Sequence, residues 1–446
     1  MDRVTSQVYH VEGRPSEGGR SVLVHTESGS DVVGPTWNVR TTVHEYGGTP
    51  ALVHNGVVYF SHLVDGRVYR VVDGKEPEAV TPGSRISTAR VILTGLEGKP
   101  YRYACLEPHP SISHLLVAVL EDHTIDEPAK IENSIVVLDT NKSSVHSLIQ
   151  GSDFYAFPTF SPDGAKITWQ QWKHPDMPWE GSEVYIADVQ FADGRLSINN
   201  QILIAGQAQE ISASYADWAD KDRLIFTSDS SGHINPWRYE NKKASALLPV
   251  PIAEDFGYPM WFLNYSPYAV VDVEGRKSVF SALRDGRDVL YIVDLRDSSP
   301  PKQIETPFLV VRCVRSVSRE KEEVVILGQT AIEKMGIFKL SLSRGVDIAT
   351  LKATECTNGP LTPDLVSFPQ PMSLSCGEIG RSVHTIYYPP HNPEYAGSNI
   401  SGERPPCVVN VHGGPTSISL QGLDWGKQYF TSRGWAWWGQ TTVHIG

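Results

Sequence analysis

Between about residue 45 and residue 365 the apolar positions fall in short runs rich in β-branched and aromatic residues, each bounded by Gly, Pro, Asp or Asn. Val57–Ser61 is one such run, and residues 67–71, 115–119 and 134–139 are others. Runs of this kind suit a pleated, half-buried strand, and their flanking residues suit turns. Helical periodicity of useful length is almost missing from this stretch, which therefore reads as all-β.

The runs also recur in a set order: strand, Asp/Gly turn, strand, longer loop, and a strand ending in Asp. One instance passes through Phe160-Ser161-Pro162-Asp163-Gly164, then 166–169, then 183–188. A second covers 215–218, a polar turn at Asp220-Lys221-Asp222, and 224–229. A third covers 278–281, the turn Arg284-Asp285-Gly286-Arg287, and 289–294. This is the pattern of a four-stranded propeller blade of roughly 40–50 residues, and about seven blades, give or take one, fill the region. Ser161 to Gly164 reads as a plain type I turn, an architectural motif rather than a chemical one.

Near residue 360 the pattern changes. Pro360, Pro363, Pro369 and Pro371 punctuate a linker, and a strand follows at 383–388. Residues 407–411 are apolar nearly throughout and read as a buried strand, running directly into His412-Gly413-Gly414-Pro415. A helix closed by Gly434 and a strand opening at Trp435 complete the start of an α/β unit. The expected fold is mainly β: a roughly seven-bladed β-propeller followed by the incomplete start of an α/β-hydrolase domain. The expected division is 1–44 as a segment leading into the propeller, 45–365 as the propeller, and 366–446 as the first part of the hydrolase domain.

Composition fits a globular protein able to bury a large core, with 40% hydrophobic and 20% charged residues in 446. The formal charge of −12 and the lack of a Lys/Arg run argue against a nucleic-acid partner. No apolar run is long enough to cross a membrane, and the first residues lack an apolar signal core, so no membrane partner is expected. The five cysteines are widely spaced, without C-x-x-C or zinc spacing, which points to a reduced, cytoplasmic protein without a metal.

A Gly-Gly pair directly after a buried strand is the most informative chemical feature. In α/β-hydrolases the loop at this place supplies a backbone N–H that stabilises the oxyanion, and glycine lets the backbone approach a substrate carbonyl. Gly413 and Gly414 are the oxyanion-loop candidates, with Gly414 as first choice for the N–H; a simple tight turn is the competing reading. No Gly-x-Ser-x-Gly occurs in the 446 residues, so no elbow holds a serine nucleophile, and the acid and histidine that follow it in this fold are expected to be missing as well.

Together these segments resemble the prolyl oligopeptidase family of serine peptidases, in its dipeptidyl and acylaminoacyl peptidase-like branch. The likeness rests on Glu12 to Arg20, Asn38 to Gly48, Phe157 to Gly164, Trp172 to Trp179 and Val411 to Thr416, in the right order across nearly the whole chain. It implies a propeller covering the active site of a C-terminal hydrolase, a Ser-Asp-His triad, no metal or organic cofactor, and short peptides as substrates of complete relatives. Two propeller segments then become candidates for contact with the peptide. Glu45 and Tyr46 lie in His44-Glu45-Tyr46-Gly47-Gly48, where the carboxylate either pairs with a peptide's amino terminus or is a structural group held by an arginine such as Arg40. Trp172 and Trp179 bound an apolar loop that either lines the cavity or plugs the contact with the hydrolase domain. The sequence departs from the family pattern after Trp438, and because the Ser-Asp-His triad is missing this chain is expected to be inactive alone. A non-catalytic propeller that binds peptides or partner proteins is the alternative, and the oligomeric state is left open.

Overall fold

The computed structural model describes residues 1–446 except 3, 73, 84–99, 264, 353–361, 377–380, 415 and 441–446. Pro360 in the linker and the departure from the family pattern beyond Gln440 lie outside the described residues. Among the described residues eight sheets form, and seven of them are antiparallel with strands in sequence order. Blade 1 has three strands, Tyr9–Arg14, Arg20–His25 and Ser30–Asp31. Blades 2 to 7 have four strands each and begin at Ala51–His54, Tyr101–Pro108, Phe154–Phe160, Ala213–Trp218, Tyr268–Val270 and Val310–Ser318. Blade 1 thus arises within the stretch read from the sequence as a leading segment.

The blades close into a ring through apolar side chains. Leu23, Val39, Val58 and Phe60 join blades 1 and 2, and Val271, Val279, Val311 and Ile326 join blades 6 and 7. Val8, just before blade 1, packs on Val317, Val325 and Ile337 of blade 7, and this cluster closes the circle. A sheet with one open edge invites further pairing, and packing the blades face to face around a ring leaves only short edges.

The turn chemistry behaves as the sequence demands. At Arg284 to Arg287 the two central residues, Asp285 and Gly286, take φ values of +50° and +75°, as a two-residue hairpin requires. In the Ser161 turn, the Gly164 N–H donates to Ser161 O at 2.8 Å and the Ala165 N–H to Asp163 Oδ1 at 3.1 Å. Gly164 has φ +71°, and a Cβ there would stand 2.7 Å from the His109 ring, so this glycine is required twice over.

A feature with no glycine signal recurs in the innermost strands. Blades 3, 4, 5 and 7 each contain a register shift, with Cys105, Phe157, Tyr215 and Cys313 at φ +48° to +58°. Each shift is a β-bulge that sharpens the local twist where four strands converge on the axis.

The eighth sheet is mixed. Its spatial order is Gln370–Cys376, Arg381–Tyr388, Ala436–Gln440, Cys407–Asn410, and the last two run parallel. The crossover between them holds the helix Trp425–Thr431, whose first turn is capped by Asp424 accepting from the Gly426 and Lys427 N–H groups. This strand–helix–strand unit is the α/β element expected. The strand Cys407–Asn410 is not buried, however. It has one neighbour, and Val409 and Val411 are largely exposed, since no described element covers that face. The apolar run marked the strand correctly but not its surroundings, because burial depends on what packs above it. The loop before it exposes Tyr395 and Ile400. Limited proteolysis should therefore cut first between Pro389 and Pro406, leaving the propeller intact; a first cut within a blade would contradict this order of stability.

Candidate functional site

His412 to Gly414 leaves the C-terminal end of a parallel strand, the place where open α/β sheets bind their ligands. Gly414 has φ +76°, which explains its identity. A Cβ at Gly413 or Gly414 would meet nothing within 4 Å, so within this chain it is backbone conformation, not crowding, that calls for glycine at Gly414. Neither Gly413 nor Gly414 donates its N–H to another described residue. If the His412 proton sits on Nδ1, that group donates to Gly414 O at 3.2 Å and tightens the turn.

The segment that follows runs across the propeller. Trp261 Nε1 donates to Thr416 Oγ1 at 2.9 Å, Gln421 Nε2 to Asp285 O at 2.6 Å, and Gln329 Nε2 to Leu423 O at 2.8 Å. The Leu423 N–H donates to Thr330 O at 3.0 Å. The glycine loop is therefore tethered to blades 6 and 7 and to the loop between blades 5 and 6.

On the propeller side, His44 and Glu45 adopt successive left-handed conformations, φ +53° and +64°, and Gly47 follows at +72°. This tight run turns the Glu45 carboxylate outward, leaving 75% of its side chain exposed. Its partner is Arg102, at 2.7 Å, rather than Arg40. Arg102 also donates to Thr42 O and lies 3.6 Å from Glu121. Glu121 is buried and accepts the His44 backbone N–H at 2.7 Å, with His123 Nε2 at 3.1 Å. Burial alone would raise the Glu121 carboxyl, but the hydrogen bond with His123 and the nearby His44 hold it below its usual range. His123 is raised in turn by that bond to Glu121, while burial lowers His44. Two carboxylates thus share one arginine, which leaves Glu45 able to accept a further cation.

The two tryptophans have different roles. Trp172 is buried, stacked on Phe154 at 5.3 Å and edge-on to His44 at 5.4 Å, so it supports the Glu45 turn from below. Trp179 packs on Trp261 at 4.5 Å, and Trp261 meets Tyr46 at 5.4 Å. Sequence reasoning did not single out Trp261, which joins Tyr46, Trp179 and the glycine loop. A lone tryptophan between a methionine and a phenylalanine gives no periodic or motif signal. Arg102 was missed for a similar reason, since its partner lies on a different blade.

Beneath Thr416 lies a cavity of about 90 Å3, bounded by Trp179, Ser214, Asp229, Tyr258, Met260 and Thr416 among others. Asp229 accepts the Ser212 N–H at 2.8 Å, and its carboxyl is raised by burial, with Asp255 adding to the shift. Aromatic walls with a few placed acceptors are what a pocket for a small polar chain requires.

Comparison with known proteins places this geometry. No family model and no curated protein matches the chain. Among solved structures, a Mycobacterium tuberculosis puromycin-hydrolyzing peptidase is similar at 29% identity and a TM-score of 0.82. A puromycin hydrolase mutant complexed with PGG is similar at 26% identity and 0.83. In both cases 98% of this chain and 64% of the other chain are covered. These neighbours are members of the prolyl oligopeptidase family, which the chain resembles over nearly its whole length. A Pyrococcus horikoshii acylaminoacyl peptidase, at 16% identity and a TM-score of 0.59, shares the fold over 97% of this chain and 62% of its own. The chain thus spans less than two thirds of the length of these family structures, and its propeller and glycine loop occupy the shared part. No helix among the described residues is long and apolar enough to cross a membrane.

Proposed function

We propose that this chain carries the peptide-recognition propeller and the carbonyl-polarising loop of a serine peptidase acting on short peptides. The observation that supports it most is the Gly413–Gly414 loop at a parallel strand end, tethered over a polar, aromatic-walled cavity. In the completed reaction a serine attacks the scissile carbonyl, a histidine moves the proton, and backbone N–H groups stabilise the tetrahedral oxyanion. This sequence supplies the last of these and has no Gly-x-Ser-x-Gly for the first. Glu45, half-neutralised by Arg102, receives the peptide's amino terminus, and Tyr46, Trp179 and the cavity receive its side chains. Residues 1–365, with blade 1 included, act as the propeller unit and 366–446 as the hydrolase part. Cys105 and Cys407 are free thiols, which supports a reducing, cytoplasmic setting.

A purified chain titrated with a free-amine dipeptide should bind it by calorimetry, and Glu45→Gln should weaken binding about fivefold, since the carboxylate is exposed and screened. A free-amine dipeptide binding equally well to both proteins would remove Glu45 from the site. The absence of a nucleophile elbow favours a second reading, a propeller that binds peptides without cleaving them. A fluorophosphonate probe tests the chemistry directly: labelling would reveal an active serine, and silence would leave recognition alone.

A further inference from the structure

We infer that Trp261 is a positioning residue, the strut through which the propeller holds the glycine loop in register with the Glu45 turn. This rests on the reading of Gly413–Gly414 as the carbonyl-polarising loop. Trp261 touches both sides. Its indole N–H donates to Thr416 Oγ1 at 2.9 Å, two residues beyond Gly414. Its ring is clamped between Trp179 at 4.5 Å and Tyr46 at 5.4 Å, neither of which bonds to the hydrolase segment.

The clamp is itself fixed to the Glu45 turn by the main chain. The Leu263 N–H donates to Gly47 O at 3.1 Å, and the Thr49 hydroxyl donates to Leu263 O. The turn and the Trp261 loop therefore move as one body. The other tethers of the hydrolase segment, at Gln421 and Leu423, lie further along the chain and reach blades 6 and 7 rather than this body. Movement of Thr416 away from Trp261 would leave the glycine loop hydrogen-bonded to the propeller only through residues five and more positions downstream of Thr416. An oxyanion donor works by being in place before charge develops, so a strut at this point acts on orientation. Thr416 and Trp179 also line the same cavity, so an occupant would press on both ends of the strut.

Hydrogen–deuterium exchange on the full chain tests the assignment. Trp261→Phe keeps the ring and removes the donor; Thr416→Val keeps the shape and removes the acceptor; Thr416→Ser retains the hydroxyl. Exchange in the peptide spanning residues 411–423, whose Ser419 and Leu423 N–H groups donate to Gln440 O and Thr330 O, should rise about threefold to tenfold in the first two, the loss of one hydrogen bond. It should be unchanged in Thr416→Ser and no faster in the double variant than in either single one. Protection of the blade cores should stay as in the parent chain, which separates positioning from folding. Exchange at 411–423 unaltered in Trp261→Phe and Thr416→Val, or effects that add in the double variant, would overturn the assignment. A strut that passes this test in a chain that binds no peptide would leave the inference standing and sink the functional reading instead.

Discussion

Arg312→Leu should destabilise the chain by about 3 kcal/mol at pH 8 and by much less at pH 5. Asp288, at the start of a blade 6 strand, is fully buried; its Oδ2 accepts the Val311 N–H at 2.7 Å and Arg312 Nη1 at 3.1 Å. Its Oδ1 has no hydrogen-bond partner. Burial pushes this carboxyl from 3.8 up to about 7, even with the arginine pulling the other way. The folded state thus holds the proton more tightly than the unfolded chain does. The group's contribution to stability is greatest at low pH and declines as pH rises from about 3.8 to about 7. Removing the guanidinium takes away the compensating charge, so the decline extends above pH 7. Arg312 also lies over the Tyr258 ring at 3.9 Å, and losing that contact adds a part independent of pH. Urea unfolding of Arg312→Leu and of Arg312→Leu/Asp288→Asn at both pH values separates the two. The double variant should recover most of the pH-dependent loss; equal losses at pH 5 and pH 8 would exclude Asp288 as the responsible group.

This pair illustrates which parts of the molecule could be read from the sequence. Strands with local signals came through nearly intact. Val57–Ser61 forms over the residues expected, and the runs at 134–139 and 289–294 lie inside Glu132–Asp139 and Arg287–Asp294. Their signals are alternation, β-branching and turn residues, all of which act within a few positions. Blade 1 gave a weaker signal because Gly13 to Arg20 is polar and glycine-rich; there Arg14 pairs with Asp31 at 2.5 Å and Arg20 with Glu17. The four inner-strand bulges were invisible, since cysteine, phenylalanine and tyrosine carry no local preference for φ near +50° and tertiary packing imposes it. The exposure of Val409 was also beyond reach, because a strand sequence does not say what lies above it.

The candidate site divides along the same line. Gly413 and Gly414 were legible because a loop chemistry demands glycine next to a strand. Glu45, Tyr46, Trp172 and Trp179 were legible as unusual residues in unusual segments, but not as a set. The structure joins them through Trp261 and Arg102, contacts between positions far apart in the chain. Pairing of that kind depends on the ring's geometry, which no local pattern encodes.

Gly47→Ala should cost about 3 kcal/mol and loosen both candidate segments at once. Gly47 has φ +72°, and a Cβ there would collide with the Thr41 carbonyl oxygen. Its N–H donates to Val43 O at 2.9 Å and its carbonyl accepts the Leu263 N–H at 3.1 Å, so the strand of bonds from Thr41 to the Trp261 loop passes through this residue. The alanine must either distort the left-handed turn or push Thr41 away. Either movement displaces Glu45 and Tyr46 on one side and Leu263 on the other. Gly56→Ala provides the comparison, since Gly56 has φ +75° but open space where a Cβ would stand. That variant should lose only the conformational part, about 1 kcal/mol. Thermal unfolding of the two proteins isolates the collision, and dipeptide titration shows whether it reaches the site. A Gly47→Ala protein as stable as Gly56→Ala, with unchanged peptide affinity, would mean that the turn yields freely and does not hold Glu45 in place.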